Sequence, residues 1–535
     1  MAPEPTSSSR LARSAASAAA ATITSRILGV VREQVIAAQF GAGAATDAYN
    51  VAFRIPNLLR DLFAEGAMSA AFVPTFTRYL TQAGKGPAWR LSNHVLNALI
   101  VVTGALVVLG IVFAQPLIHA FAAEEFTADA GKLALTVQMA RIMLPTLTLI
   151  ALAAAFMGML NSLHHYFIPA LSPATFNVLT IVCAFTLVPL MPTFGLQPIV
   201  AIAIGTLLGG VAQLALQWPT LHREGFRYRL EIDWRDEGLR RMLTLMGPGA
   251  VGMAATQVNV FVNTLLATST VEGAVSWLNY AFRLMYLPIG LFGVSIATAT
   301  LPTVSRQSTE QDFAAVRETV TSGLSLMLML NIPSMVGLIV LAEPIVRLLL
   351  ERGAFEASDT IATAAVLRFY AIGLIGYSVV RILSPVFYAL GRNRTPVMVS
   401  MTAVLVNAAL NYTLVHTALT YRGLALGTSI AALFNATTLL YLLRTHLHGL
   451  NEARLLGAVA RITAASALMG VTAYYTDEML TVWQPSQALP IQVTRLGVAI
   501  GLAIVVLAAS AWLLRIREFN EGIAMVTRRL RRARR

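Results

Sequence analysis

Residues 25–80 read SRILGVVREQVIAAQFGAGAATDAYNVAFRIPNLLRDLFAEGAMSAAFVPTFTRYL. Within this largely apolar stretch Asp47, Asn50, Arg54, Asn57, Asp61 and Glu65 recur every three or four residues, which draws one polar stripe along a helix. Arg26, Gly29 and Glu33 share a face of the helix before it, with Arg32 about a third of a turn away. Pro56 removes an intrahelical hydrogen bond and predicts a kink. Insertion scales price an arginine at the centre of a membrane span at roughly 2.5–3.5 kcal/mol. Charges so placed call for a watery cavity, a carboxylate partner or an anionic ligand.

The rest of the chain makes that span reading necessary. Of 535 residues 56% are hydrophobic and 12% charged, and the mean hydropathy is +0.68, which excludes a string of soluble domains. About fourteen apolar stretches, each long enough to cross a bilayer, lie near 14–38, 47–77, 93–121, 133–160, 167–190, 198–221, 243–268, 273–303, 319–341, 361–390, 396–417, 423–443, 456–475 and 494–514. The start resembles a signal peptide, but its apolar run continues through Arg26 to Phe40 without a small-residue cleavage site. The single cysteine, Cys183, excludes an intramolecular disulfide and a cysteine-based metal site. No GxxxxGK[ST] loop occurs, and no break between spans has room for a soluble catalytic domain.

Orientation follows from the basic residues, of which all but Lys85 and Lys132 are arginine. With the N-terminus in the cytoplasm, 25 Lys and Arg fall in cytoplasmic breaks and tails, against Lys132, Arg347, Arg352 and Arg422 outside. Both termini are therefore expected in the cytoplasm. The formal charge of +13 is topogenic on this reading and implies no nucleic-acid partner.

The chain also repeats itself. Ala52-Phe53-Arg54 recurs as Ala281-Phe282-Arg283, Pro74-Thr75-Phe76-Thr77-Arg78 as Pro302-Thr303-Val304-Ser305-Arg306, and Arg141 and Pro169 find Arg368 and Pro396, at offsets of 227–229. Six spans per repeat return the chain to the same side, so the halves are parallel, an arrangement that suits two lobes rocking about a central site. The predicted fold is an all-α polytopic membrane protein of about fourteen transmembrane helices. It comprises two parallel six-helix lobes around a central cavity, 14–222 and 240–446, two additional helices in 455–515, and a basic cytoplasmic tail, 516–535.

Ten basic residues remain inside spans, Arg381 among them without an assigned role. Arg141, Arg368, Arg461 and Arg495 lie near span ends and can snorkel. Arg26, Arg32, Arg54, Arg60 and Arg283 are the candidate substrate-binding cations, and Glu33, Asp47, Asp61 and Glu65 their counter-ions, which leaves a slight positive excess. Arginine is planar, permanently charged and bidentate, so it suits phosphate better than it suits a cationic drug. The inferred ligand is an anion with an apolar tail or a large phosphorylated head. The alternative, in which these charges only lock helices together, predicts that function survives their neutralisation. His164-His165 has no acid near it in sequence and reads as a plain loop rather than a catalytic centre, so no enzyme is expected.

The glycine-rich FGAG, with TDA, PNLLR and FAEGA in residues 25–80, and SWLNYAFRLMYLPIGLFGV at 276–294, strongly resembles the MurJ (MviN) family of lipid II flippases, in the multidrug/oligosaccharidyl-lipid/polysaccharide exporter superfamily. The likeness spans essentially the whole chain. It implies movement of undecaprenyl-pyrophosphate-linked disaccharide-pentapeptide from the cytoplasmic to the periplasmic leaflet of the inner membrane by alternating access, in peptidoglycan biosynthesis. By the same resemblance Arg26, Arg32 and Arg283 fall on cavity arginines, Asp47, Arg60 and Glu33 on motif positions, and the last two helices on a groove for the polyprenyl tail. It implies lipid II, membrane lipids and the peptidoglycan synthesis machinery as partners, and no cofactor. Members that bind sodium use carboxylates where this chain offers Asn259, Asn263, Asn407 and Asn411, and neutral amides are poor substitutes. A flippase for another lipid-linked oligosaccharide, or an exporter of another anion, is the alternative of the same superfamily.

Overall fold

The computed structural model describes residues 7–61, 67–486 and 488–520; the side chains of 7–16, 18, 67–70, 246–256 and 294–295 are also left aside. Glu65 and most of the basic tail thus lie outside the described residues. Among the described residues there is no strand. The first half comprises α1 (Ser7–Phe40), α2 (Ala44–Arg60), α3 (Ala67–Gln82), α4 (Lys85–Val112), α5 (Ala114–Phe121), α6 (Glu124–Thr127), α7 (Ala130–Met143), α8 (Thr146–Ser162), α9 (Phe167–Thr186) and α10 (Val200–Arg223). The second comprises α11 (Glu237–Thr268), α12 (Ala274–Pro288), α13 (Val294–Thr309), α14 (Phe313–Val340), α15 (Ala342–Leu350), α16 (Ala357–Ala389), α17 (Arg394–Val415) and α18 (Tyr421–His446). Two further helices, α19 (Glu452–Trp483) and α20 (Leu489–Leu513), follow.

The duplication read from short motifs extends to the helix boundaries. α4 and α14 are both 28 residues long and begin 228 residues apart, at Lys85 and Phe313. The short α5 and α15 begin at Ala114 and Ala342, again 228 apart. α7 and α8 together run Ala130–Ser162, 33 residues, and their counterpart α16 is one helix of 33. The first-half copy is interrupted at Leu144–Pro145, because proline at 145 cannot donate to the helix and crowds the preceding turn.

Ten helices are long and apolar enough to cross a membrane among the described residues, or eleven if the bent pair Ala274–Gly293 and Ile296–Thr309 is one span. Three of the fourteen expected spans, 14–38, 47–77 and 243–268, fall outside that set. Each of the three includes positions that are not fully described: 14–16 and 18, 62–70, and 246–256.

By contact the chain divides into two compact units, Met1–Ser276 with Arg352–Phe355, and Trp277–Glu351 with Glu356–Arg535. α11, by sequence the first helix of the second half, belongs to the first unit, where it packs on α3 and α4. The first unit is built on a core of Phe72, Phe76, Leu91, Met159 and Phe226, and the second on one of Met327, Leu383, Phe387 and Leu439.

With apolar lipid on the outside, helices gain little from hydrophobic burial against each other and rely on close backbone approach. In the second unit α16 and α18 achieve this at Gly376, where an added Cβ would stand 2.6 Å from the Ala432 carbonyl carbon and oxygen. Gly376→Leu is expected to force the two helices apart and cost about 1–3 kcal/mol. Thermal unfolding of the purified protein should show a lower midpoint, and an unchanged midpoint would contradict this packing.

Candidate substrate-binding site

In the first unit α1 lies along α9, and its Arg32 is held differently from its Arg26. Arg32 is 8% exposed; its Nη2 donates to Glu33 Oε1 at 2.6 Å, and its guanidinium stands 5.5 Å from the centre of the Phe176 ring. One turn earlier Gly29 passes Asn177, whose Nδ2 donates to the Ser25 carbonyl at 3.1 Å. Arg26 is exposed and has no hydrogen-bond or ion-pair partner among the described residues. Arg32 is thus positioned by an acid and a ring, while Arg26 offers its whole fork of donors.

Along α2 the expected polar stripe is present but its members serve different ends. Arg54 is partly buried. At the C-terminal end of the helix Arg60 pairs with Asp61 at 2.8 Å, and Asp61 also accepts from Gln257 Nε2 at 3.3 Å. At the other end Asp47, 2% exposed, is spent on a helix terminus. Its Oδ2 accepts the Gly273 N–H at 2.7 Å, and its Oδ1 accepts the Ser276 N–H at 2.9 Å and the Ser276 hydroxyl at 2.6 Å. Asn50 Nδ2 donates to that same hydroxyl at 3.1 Å. These are first-turn amides of α12, which otherwise lack intrahelical acceptors. In return Glu272 Oε1 accepts the Ala44 N–H at the start of α2, at 2.9 Å. The start of α12 is thus met by an acid of α2, and the start of α2 by an acid of the turn before α12.

Gly41 of FGAG has a related reason. Ala38 O accepts the Ala354 N–H at 2.8 Å, with Gly41 at φ +63° and Gly353 at φ +59° on either side. A Cβ on Gly41 would stand 2.4 Å from Ala354 O, and one on Gly353 would stand 2.1 Å from Ala38 O. Only glycine fits both the left-handed backbone and the approach.

In the second unit Arg283 is exposed on α12. One turn on, Tyr286 stacks on Phe282 at 5.9 Å, and Arg381 of α16 donates to the Tyr286 hydroxyl while lying 5.4 Å from its ring. Sequence reading counted Arg381 among the intramembrane cations without a role; the signal that α12 and α16 present it beside Tyr286 is tertiary. Pro288, further along α12, lines an apolar cavity of about 790 Å³, with Met329 and Pro333 of α14, Met469 of α19, and Ile504 and Leu507 of α20.

The amide candidates are paired within their own helices. Asn411 donates to Asn407 on α17, both buried, and Asn263 Nδ2 donates to Asn259 at 2.9 Å on α11. Among the described residues no three His, Cys, Asp or Glu side chains gather as a metal site. A sodium ion at either amide pair would meet neutral donors whose carboxamides already bond each other, so these residues do not fit it.

His165, read from sequence as lacking an acid, has one in the fold: its Nε2 lies 2.9 Å from Glu224 Oε1, and Lys85 Nζ lies 2.9 Å from Glu224 Oε2. The His165 hydrogen bond, then Lys85, holds the Glu224 carboxyl below the usual carboxylate range. The cluster joins the start of α4, the α8–α9 turn and the end of α10. It is a surface brace.

A family model described as lipid II flippase MurJ matches residues 36–494. A Vibrio cholerae serotype O1 protein named as a probable lipid II flippase MurJ is 35% identical over 94% of this chain and 97% of its own length. A Burkholderia cenocepacia protein named lipid II flippase MurJ is 34% identical over 79% of this chain and 82% of its own. A solved structure of lipid II flippase MurJ in an inward closed conformation superposes with a TM-score of 0.75 at 27% identity, covering 93% of this chain and 98% of that one. An inward-facing MATE-family transporter of the MOP superfamily shares the fold, with a TM-score of 0.68 at 16% identity over 79% of this chain and 94% of its own. With arginines fixed on α1 and α12, an apolar cavity reaching α20, and these matches over nearly the whole length, the chain belongs to the MurJ family of lipid II flippases.

Proposed function

We propose that this multi-pass protein of the bacterial inner membrane is a lipid II flippase that serves peptidoglycan biosynthesis. It is a transporter rather than an enzyme, and carries the undecaprenyl-pyrophosphate-linked precursor from the cytoplasmic to the periplasmic leaflet. The observation that carries this reading is α12, which bears the exposed Arg283 and, little more than a turn later, Pro288 at the apolar cavity of about 790 Å³. A lipid diphosphate needs both features: a fork of donors for its phosphates and an apolar channel for its chain.

In this reading Arg26, Arg32 and Arg283 bind the diphosphate, with Arg54 and Arg60 adding to the positive field. Glu33 and Asp61 balance Arg32 and Arg60 while the site is empty, and Glu65 joins them. Segments 14–222 and 240–446 act as the lobes of an alternating-access cycle, 455–515 holds the polyprenyl tail, and both termini, including the basic tail 516–535, face the cytoplasm.

The test is depletion of the protein in its host, with lipid II on the outer face of the inner membrane as the read-out. Exposed lipid II is expected to fall while the cytoplasmic-leaflet pool accumulates. Unchanged exposure in a host without a second flippase would overturn the substrate assignment and favour another lipid-linked anion.

A further inference from the structure

Between α10 and α11 the chain runs as an extended strap, and its sequence from 227 to 235, RYRLEIDWR, alternates with a period of two. In sequence Tyr228, Leu230, Ile232 and Trp234 alternate with Arg227, Arg229, Glu231, Asp233 and Arg235, and a turn at 234–235 ends the strap. The strap has no sheet partner among the described residues. Its backbone is held instead by one face of α4: Asn93 Nδ2 donates to Arg227 O at 3.1 Å and Asn93 Oδ1 accepts the Arg229 N–H at 3.1 Å. Asn97 Nδ2 donates to both Arg229 O and Glu231 O at 2.8 Å, and the Tyr228 hydroxyl donates to Asn97 Oδ1 at 2.6 Å.

Two asparagines spaced i, i+4 thus act as a surrogate strand for a segment whose backbone would otherwise lack partners. So fixed, the strap nonetheless exposes its apolar face: Leu230 is 86% exposed, and Ile232 and Trp234 are exposed as well. In a water-facing loop such a face is a liability.

Its position on α4 identifies what covers it. α4 is a membrane span, and Val101, Val108 and Val112 lie within about 60° of Asn97 around its axis. All three are exposed, at 53%, 61% and 63%, so this is the face that α4 turns to lipid. The strap crosses the same face two to three turns from the N-terminus of the helix. Its apolar side chains are therefore continuous with a lipid-facing stripe, at the depth where Trp and Tyr settle in a bilayer. Arg227, Arg229 and Arg235, which alternate with them in sequence and are exposed, are placed for anionic headgroups.

We propose that residues 227–235 form an interfacial membrane anchor, with Leu230, Ile232 and Trp234 seated in the headgroup–acyl boundary of the leaflet at the N-terminal end of α4. In the orientation proposed above that is the cytoplasmic leaflet, but the anchor itself depends neither on that orientation nor on the transported substrate.

The lone cysteine makes the test direct. In a Cys183→Ser background, spin labels attached at Leu230→Cys and Arg229→Cys of the full-length protein in vesicles of phosphatidylethanolamine and phosphatidylglycerol would be relaxed by oxygen, which partitions into lipid, or by a water-soluble nickel chelate. The label at 230 is expected to be accessible to oxygen and shielded from nickel, and the label at 229 to show the reverse. Equal nickel access at both sites would place the strap in water and overturn the proposal. A label at 230 that neither reagent reaches would mean a protein neighbour covers it, and would overturn it equally. Because the read-out is depth, loss of the flippase assignment would leave this result untouched.

Discussion

Arg283→Ala is expected to abolish the ability of the protein to sustain growth when its host copy is depleted, at an unchanged level of folded protein in the membrane. Each hydrogen bond between a guanidinium and a phosphate contributes about 1.5–3 kcal/mol, so loss of a two-pronged contact should lower transport by at least about 100-fold. The side chain is exposed on α12, and its removal opens no core cavity. Arg283→Lys separates charge from shape: it keeps the cation but loses the planar fork, and intermediate growth is expected. Complementation assays with immunoblots of membrane fractions would measure both. Full growth with Arg283→Ala would mean that phosphate recognition does not pass through this residue.

Asp47→Ala is expected to fail differently, by loss of the fold. Three donors, the Gly273 N–H and the Ser276 N–H and hydroxyl, converge on this carboxylate inside the protein. Leaving a buried donor unsatisfied costs about 1–3 kcal/mol. The combined loss is several kcal/mol, a large part of what a folded protein has in reserve. Thermal unfolding in detergent should show a markedly lower midpoint for Asp47→Ala. Asp47→Asn should fall between, since the amide keeps one acceptor but turns a donor toward donors. A wild-type midpoint for Asp47→Ala would mean that the cap contributes nothing.

These two residues also mark how far the sequence could be read. The duplication was legible because it rests on local identity: the offset of 227–229 found in short motifs reappears in the ends of α4, α5, α14 and α15. The intramembrane arginines were legible because their cost is independent of what surrounds them. Partners were not. Asp47 bears the same charge and stands on the same polar stripe whether it faces arginine or caps a helix, and its partners lie 226 and 229 residues away. His165 had no acid nearby in sequence because Glu224, 59 residues on, reaches it only when α10 returns beside α8. Arg381 gained a neighbour in Tyr286 by the same kind of long-range packing. Composition and period report what a residue needs; only the fold reports who supplies it.

At the offset that carries Ala52 to Ala281, Asp47 corresponds to Ser276, the residue it touches. An ancestor with two identical halves would have set this position against its own image. Two aspartates there would repel, and two serines would leave the amides without a charged acceptor. The contact requires an unlike pair, one acid and one donor, so the two halves cannot be identical at this position.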